Sequence, residues 1–163
     1  MGKVLTTFTR AFLPVLALLM AAQACTDDGC SENTNSVPQA GFYESGSHNK
    51  QITLTKLTVR GIGAPGDSAI IDTQTVNSVY LPLRLSTGKS QFVFDYYGDS
   101  LVNDTLTLNY KAVPYFVSKE CGAMYNFEVS GMECTTHEID SVVMPNTTLT
   151  NAEGVKIKIY VKK

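Results

Sequence analysis

The sequence lacks residues on which several familiar functions depend. It has no tryptophan and only two histidines, His48 and His137, among 163 residues. It therefore has neither the buried tryptophan of antibody-type domains nor the usual stacking ring of glycan-binding surfaces. No second histidine completes a His-Glu-x-x-His motif after His137, which excludes metalloproteases of that class. There is also no Gly-x-Ser-x-Gly motif, the turn that carries the nucleophile of α/β-hydrolases.

Basic residues are also few and scattered. The chain has 13 of them against 15 acidic residues, and no cationic patch with interleaved aromatics occurs. We therefore expect no nucleic-acid partner. The lysines near the C-terminus alternate with apolar residues, which is typical of the solvated face of a strand. They are Lys156, Lys158, Lys162 and Lys163.

The apolar run near the start is too short to cross a membrane. Ala11 to Ala22, interrupted only by Pro14, would rise ~18 Å as a helix, whereas the hydrocarbon core of a bilayer is roughly 30 Å thick. The run follows Lys3 and Arg10, which supply a positive start. Residues 1–24 are therefore predicted to form the helix of a cleaved signal peptide.

The cleavage region resembles a bacterial lipobox, in which the first cysteine of the mature chain receives a diacylglyceryl group. It reads Ala22-Gln23-Ala24-Cys25, where the usual motif has Leu at the first position and Ala or Ser at the second. The following Thr26-Asp27-Asp28 looks like the acidic tag of lipoproteins exported to the outer face of the outer membrane in Bacteroidota-type cells. We expect a palmitate-type anchor at Cys25 and a location in the bacterial envelope, at the outer membrane, with surface exposure. Simple secretion is the alternative.

Cleavage before Cys25 leaves 139 residues, enough for one domain with a core. All the acidic residues follow the cut, whereas Lys3 and Arg10 precede it, so the mature chain carries a net charge of −4. Residues 25–46 are rich in Ser, Asn and Gly and are predicted to be a polar tether. Residues 47–163 are predicted to be the folded domain.

Alternation of apolar and polar residues with period two dominates this domain, and no helical stripe appears. It predicts seven to nine short strands and an all-β fold, a single antiparallel β-sandwich or an open barrel. Runs at 79–85, 91–97 and 106–110 are predicted to form an antiparallel meander, with Pro82 marking an edge or bulged strand. A slip in the apolar phase at Thr55–Lys56 predicts a bulge.

Further along, Pro114 is predicted to interrupt the strands, and Gly131 to Cys134 to form a loop. The last run, 155–162, has one apolar and one cationic face. Such a strand fits either an exposed sheet surface or a guarded edge.

Four cysteines, Cys25, Cys30, Cys121 and Cys134, must be interpreted for an oxidising compartment. If Cys25 carries lipid, three thiols remain and one is unpaired. Pairing Cys121 with Cys134 would close a short loop, and pairing Cys30 with Cys121 a long one, worth ~3 and ~4–5 kcal/mol in the chain-entropy model. Geometry, not this difference, decides between them. Without lipidation all four are able to pair.

A weak candidate for calcium binding lies around the turn at Tyr96 to Gly98. Asp95, Asp99 and Asp104 flank it, but their spacing does not match an EF-hand loop. Acidic residues at a hairpin tip are more often simply hydrated. We expect no metal and no cofactor.

Several segments together resemble a family of short Bacteroidota-type lipoproteins classed only as a domain of unknown function. The resemblance covers most of the mature chain but brings no activity, substrate or catalytic residue. It implies that Cys30 and Cys121 are the family's typical cysteines, which favours their pairing and leaves Cys134 as the extra one. The segments are Cys25 to Cys30, Ala40 to Tyr43, Leu57 to Ser68, Val79 to Leu83 and Ser118 to Gly122.

These observations predict a non-enzymatic protein, attached to a membrane by its lipid and serving as a binding or assembly module. Its partner would be an unidentified envelope protein or ligand. One alternative is a small envelope hydrolase with a dispersed site, in which a pocket gathers His48 or His137 with a carboxylate and a hydroxyl. Another is a structural subunit of an outer-membrane assembly.

Overall fold

The computed structural model describes Cys30 and residues 36–47, 49–63, 68–98 and 100–162. The chain divides into two units, Met1–Ser31 and Glu32–Lys163, and every strand below lies in the second. The predicted signal peptide, the predicted lipid site Cys25, and the candidates His48 and Asp99 lie outside the described residues. Within the described ranges, no helix has the length and hydrophobicity that a membrane crossing requires.

The described residues form a β-sandwich of two sheets, as the alternating pattern predicts. One sheet has four strands in the order β4-β1-β10-β8, and the other has six in the order β3-β2-β5-β6-β7-β9. The strands are β1 (Gln39–Glu44), β2 (Leu54–Gly61), β3 (Ala69–Val76), β4 (Ser78–Tyr80), β5 (Lys89–Asp95), β6 (Asp104–Ser118), β7 (Gly122–Cys134), β8 (Ile139–Val143), β9 (Thr148–Leu149) and β10 (Val155–Val161).

The core lies between the two sheets and takes buried side chains from every strand except β3, whose apolar residues are partly buried against it. Along β5, Ser90, Phe92 and Phe94 are buried while the residues between them are partly exposed. Phe42 of the smaller sheet meets Phe94 of the larger one edge to face, with ring centroids 6.2 Å apart. Such edge-to-face pairs add stability beyond the apolar area they bury. The other fully buried large side chains are Leu57, Leu81, Phe92, Leu106, Leu108, Ile139, Leu149, Ile157, Ile159 and Val59.

The first and last strands of the domain form a parallel pair. β1 runs parallel to β10, an exception in an otherwise antiparallel fold. β10 also pairs with β8, so it is a central strand, and the expectation of a guarded edge is wrong. Its cationic face is partly exposed and its apolar face buried, which agrees with the alternative of an exposed sheet surface. β1 begins at Gln39, inside the stretch predicted to be tether.

Two predicted breaks in the larger sheet are absent. β6 runs without interruption through Pro114, which pairs with Tyr125 of β7. β7 likewise continues through Gly131 to Cys134, where a loop was expected. The pairing of β5 with β6 stops at Lys89 and Asn109, so the second half of β6 has an open edge. Proline removes no ladder hydrogen bond on an open edge, which is why the strand tolerates it.

The segment after β4 is held by a side chain instead of a strand ladder. β4 ends at Tyr80 at the edge of the smaller sheet, so the predicted run 79–85 is mostly loop, and the meander consists of β5, β6 and β7. The Tyr110 hydroxyl accepts a hydrogen bond from the Arg84 backbone N–H (2.7 Å) and donates to the Arg84 carbonyl (2.8 Å). The Ser90 hydroxyl lies 2.6 Å away. Tyr110 therefore anchors this loop to the larger sheet.

Candidate functional site

A polar groove lies on the outer face of the larger sheet, over β2, β3 and the end of β5. Its volume is about 460 Å³. Four of its side chains are charged and two are aromatic, a mixture suited to hydrogen bonding and stacking. We call it the outer groove; it is lined by Lys56, Thr58, Arg60, Asp72, Thr73, Asp95, Tyr96, Tyr97 and Gly98.

Strand register places these side chains on the solvent side. Val59 pairs with Phe94, and both are buried in the core. Their neighbours Thr58 and Asp95 are also paired, and they point to the opposite face because side chains alternate along a strand. The core pattern of β2 and β5 therefore determines which residues form the groove floor.

Two residues of the groove have backbone conformations that are unfavourable for their type. Lys56 has φ of 53° and Thr73 has φ of 49°, and among the described residues these are the non-glycine residues with positive φ. Lys56 lies in an irregularity of β2 between Leu54 and Leu57, the position where the sequence predicts a bulge. A left-handed conformation costs a β-branched residue such as threonine on the order of 1–2 kcal/mol. Strain of this kind concentrates at functional sites, and here both cases line one groove.

Hydrogen bonds hold the strained position at Thr73. The Thr58 hydroxyl donates to the Asp72 carboxylate (3.1 Å) and accepts from the Thr73 backbone N–H (2.9 Å). The Thr73 hydroxyl also donates to Asp72, at 3.0 Å. This network fixes the β3 side of the groove.

An ammonium group and a tyrosine ring form the other side. The Lys56 Nζ lies 4.0 Å from the centre of the Tyr97 ring, within the range of a cation–π contact. Tyr97 remains 68 % exposed, so most of its ring is open to a ligand. With Arg60 and the two carboxylates, the groove offers hydrogen-bond donors, acceptors and a stacking surface.

Asp104, one of the calcium candidates, has a structural role. It is fully buried, and its carboxylate accepts hydrogen bonds from the Thr135 hydroxyl and from the backbone N–H groups of His137, Glu138 and Ile139, each at 2.8 Å. Burial by itself raises the pKa of this carboxyl, but the four hydrogen bonds outweigh it and hold the pKa below its ordinary value. The carboxylate thus closes the loop between β7 and β8 onto the start of β6.

The charge on Asp104 affects two neighbouring groups. Burial raises the pKa of the Tyr96 hydroxyl strongly, and the nearby carboxylate raises it further. Burial also raises the pKa of the Cys134 thiol to about 11, again with a contribution from Asp104. Tyr96 and Cys134 therefore stay neutral at physiological pH, and neither is an activated nucleophile.

The calcium candidates do not form a common site in the described part of the chain. Asp95 lines the outer groove, whereas the oxygens of Asp104 are buried and already bonded. Asp99 lies outside the described residues. Among the residues that the structure describes, no group of three or more His, Cys, Asp or Glu side chains is arranged to hold a metal ion.

The cysteines follow the pairing implied by the family resemblance. Cys30 and Cys121 form a disulfide, and Cys134 is free, so the alternative of Cys121 with Cys134 is wrong. His137, the described histidine of the hydrolase alternative, is exposed and contributes its backbone N–H to Asp104. It does not line the outer groove.

Other clefts are less suited to a specific polar ligand. A larger one, of about 610 Å³, lies beside Gln39 and Tyr80 and is bounded by the turn 151–154, with Glu153 as its charged side chain. Another, of about 240 Å³, is mainly apolar and lies under Pro82 and Arg84. Neither contains a strained residue. The outer groove is therefore the best candidate site.

Sequence reasoning did not identify the outer groove. Lys56, Arg60, Thr73 and Tyr97 come from three separate segments, and no motif connects them. The available signal is the slip in the apolar pattern at Thr55–Lys56. It predicts the bulge, but it does not predict that the bulge lines a groove.

Comparison with known proteins identifies a family and nothing more specific. A model described as "Family of unknown function (DUF6452)" matches residues 56–161. The matched stretch includes every residue of the outer groove, the Asp104 contacts and the β6–β7 hairpin. No curated protein and no solved structure matches the chain. The chain belongs to DUF6452, a family of unknown function.

Proposed function

We propose that this protein is an exported, lipid-anchored protein of the bacterial outer membrane whose β-sandwich is a non-catalytic binding module. The anchor is the thiol of Cys25, followed by the acidic Thr26-Asp27-Asp28 segment. The binding site is the outer groove, and its ligand is a small polar molecule that offers both hydrogen-bond donors and acceptors. The coincidence of two strained residues with charged and aromatic side chains in one groove carries the binding proposal.

The chemistry of the groove explains this choice of ligand. Lys56 and Arg60 donate hydrogen bonds, Asp72 and Asp95 accept them, and the exposed ring of Tyr97 packs against an apolar face. Opposite charges lie on the same surface, so a ligand with a single strong charge gains little net attraction. A neutral or zwitterionic polar ligand matches this arrangement better.

Metabolic labelling with a palmitate analogue tests the anchor. We expect label on the wild-type chain and none on a Cys25→Ala variant, because lipidation requires the thiol. Label that survives the substitution, or no label on the wild type, overturns the anchor.

Binding is tested on the same chain by thermal shift and by NMR titration with neutral sugars, amino acids and dicarboxylates. We expect a hit among the sugars or amino acids that is lost in Lys56→Ala and Tyr97→Ala. Lys89→Ala is the matched control, since Lys89 is an exposed lysine at the other end of β5. A ligand that binds all variants equally contradicts the assignment of the groove.

A further inference from the structure

The β6–β7 hairpin extends beyond the rest of its sheet. β5 accompanies β6 only as far as Asn109, and β9 accompanies β7 at Phe127 and Glu128. Between these limits β6 and β7 pair with each other alone, through a register that runs to Ser118 and Gly122. We call residues 111–126 the hairpin arm.

One face of the arm presents apolar side chains to solvent. Phe116 pairs with Ala123, and Pro114 with Tyr125, so the four side chains lie on the same face. All four are exposed, Phe116 to 70 %. We call this set the arm face. Tyr125 lines a partly apolar cleft of about 280 Å³. Leu85, which is also exposed, lines the same cleft.

The disulfide ties the turn of the arm to the anchored end of the chain. Cys121 lies in this turn, two residues before Ala123, and its partner Cys30 is five residues after Cys25. Five residues span at most ~18 Å, and the Cα atoms of a disulfide are about 6 Å apart. The covalent connection from Cys25 through the disulfide to this turn therefore has a maximum reach of about 25 Å.

The outer groove lies at the opposite end of the sheet. Asp95 is the last residue of β5 and Tyr97 follows it, at the end of β5 that pairs with the start of β6, whereas the arm is formed by the end of β6. The fifteen residues of β6 span ~46 Å at 3.3 Å per residue. This contour is about twice the reach of the connection from Cys25 through the disulfide, so the end of the sheet that carries the groove lies beyond that reach of the turn.

We propose that the arm face rests in the interfacial region of the bilayer that holds the lipid anchor, and that it holds the outer groove away from the membrane. This inference rests on the proposed lipidation of Cys25. A tyrosine such as Tyr125 suits the headgroup region, where its apolar face and polar tip are both accommodated, and Phe116 suits the adjoining boundary of the acyl chains. The short connection from Cys25 through the disulfide also gives the arm a high effective concentration at the membrane surface. A protein partner, by contrast, has no such connection to the arm.

The absence of tryptophan from the sequence makes a direct test possible. A Phe116→Trp variant of the full lipidated chain carries a single tryptophan on the arm face, and a Tyr97→Trp variant carries one at the groove. Both positions are about 70 % exposed in the wild type, so the two variants are a matched pair. A Tyr125→Trp variant gives a second probe of the arm face if the first does not fold.

The measurement is tryptophan fluorescence in phosphatidylethanolamine–phosphatidylglycerol vesicles, with and without dibrominated phosphatidylcholine. An arm face at the boundary of headgroups and acyl chains is about 5–10 Å deep, so we expect roughly threefold stronger quenching for Phe116→Trp than for Tyr97→Trp. A blue-shifted emission is expected for Phe116→Trp alone.

Mass spectrometry of the same samples separates the two hypotheses. Lipid on Cys25 with equal quenching at both positions overturns the membrane contact and leaves the anchor intact; the arm face is then a surface for a protein or a second copy. No lipid on Cys25 overturns the anchor and the membrane contact together.

Discussion

Replacing Asp104 by asparagine is the sharpest test of what holds the fold. The substitution keeps the size of the side chain but turns one acceptor oxygen into a donor. Each carboxylate oxygen accepts two of the four 2.8 Å hydrogen bonds, so two donors lose their partner whichever way the amide is oriented. A hydrogen bond to a charged group contributes ~1.5–3 kcal/mol, and a donor left unpaired against the buried amide adds a penalty. We expect a loss of about 3–5 kcal/mol in the free energy of unfolding.

This loss is a large part of the whole, since domains are stable by only ~5–15 kcal/mol. Urea denaturation followed by circular dichroism measures it. Asp140→Asn is the control, because Asp140 is exposed and accepts a single side-chain hydrogen bond from Ser45. We expect it to cost less than ~1 kcal/mol. An equal, small effect of both substitutions refutes the role assigned to Asp104.

The same pair of proteins has a defined pH dependence. The folded-state pKa of Asp104 is lowered, so its carboxylate contributes stability that is fully present above the unfolded pKa of ~3.9. This contribution is lost as the pH falls through the folded pKa. Asparagine does not titrate, so the difference between wild type and Asp104→Asn narrows as the pH falls from about 5 to 2. A difference that is constant over this range contradicts the lowered pKa.

Three further predictions concern strain, thiol reactivity and the disulfide. Asparagine tolerates positive φ better than threonine, so Thr73→Asn is expected to raise the free energy of unfolding by about 0.5–1 kcal/mol. The control Thr75→Asn, on the same exposed strand, is expected to lower it slightly. If both substitutions lower the free energy of unfolding, Thr73 is not strained. The Cys134 thiol, with its pKa near 11, is expected to react with iodoacetamide about 100-fold more slowly at pH 8 than after unfolding in urea, and equal rates contradict this. Replacing Cys30 and Cys121 by serine reopens a long loop and is expected to cost about 2–4 kcal/mol in urea denaturation; an unchanged midpoint shows that the bond constrains nothing.

The period of the apolar pattern was sufficient to predict the fold class and the bulge at Lys56. Both are local properties, because alternation decides which face of a strand is buried and a slip in it requires an extra residue. The same rule predicted the exposed cationic face of β10. It did not place β10 at the centre of its sheet, since that position depends on β1, more than a hundred residues earlier.

The errors at Pro114 and at Gly131 to Cys134 have a common cause. Proline and glycine were interpreted as breaks, but their effect depends on which neighbouring strand is present. Pro114 lies where β6 has lost β5 as a neighbour, and Gly131 pairs with Asn109 beside a register shift that the two strands absorb without a break. Strand order is not visible in a single sequence, so these positions were predicted incorrectly.

The candidate site was less predictable than the fold. Asp104 was considered because acidic residues cluster near a turn, but its partners come from residues 135–139. The sequence does not show that these donors are already directed at the carboxylate. The outer groove likewise exists only after β2, β3 and β5 are aligned.

The mass of the N-terminal peptide of the native protein, purified from membranes, tests the central claim most directly. We predict a mature chain that begins at Cys25 and carries the mass of a diacylglyceryl group. A peptide that begins at Met1, or at any other residue without lipid, contradicts the anchor and with it the proposed orientation at the membrane.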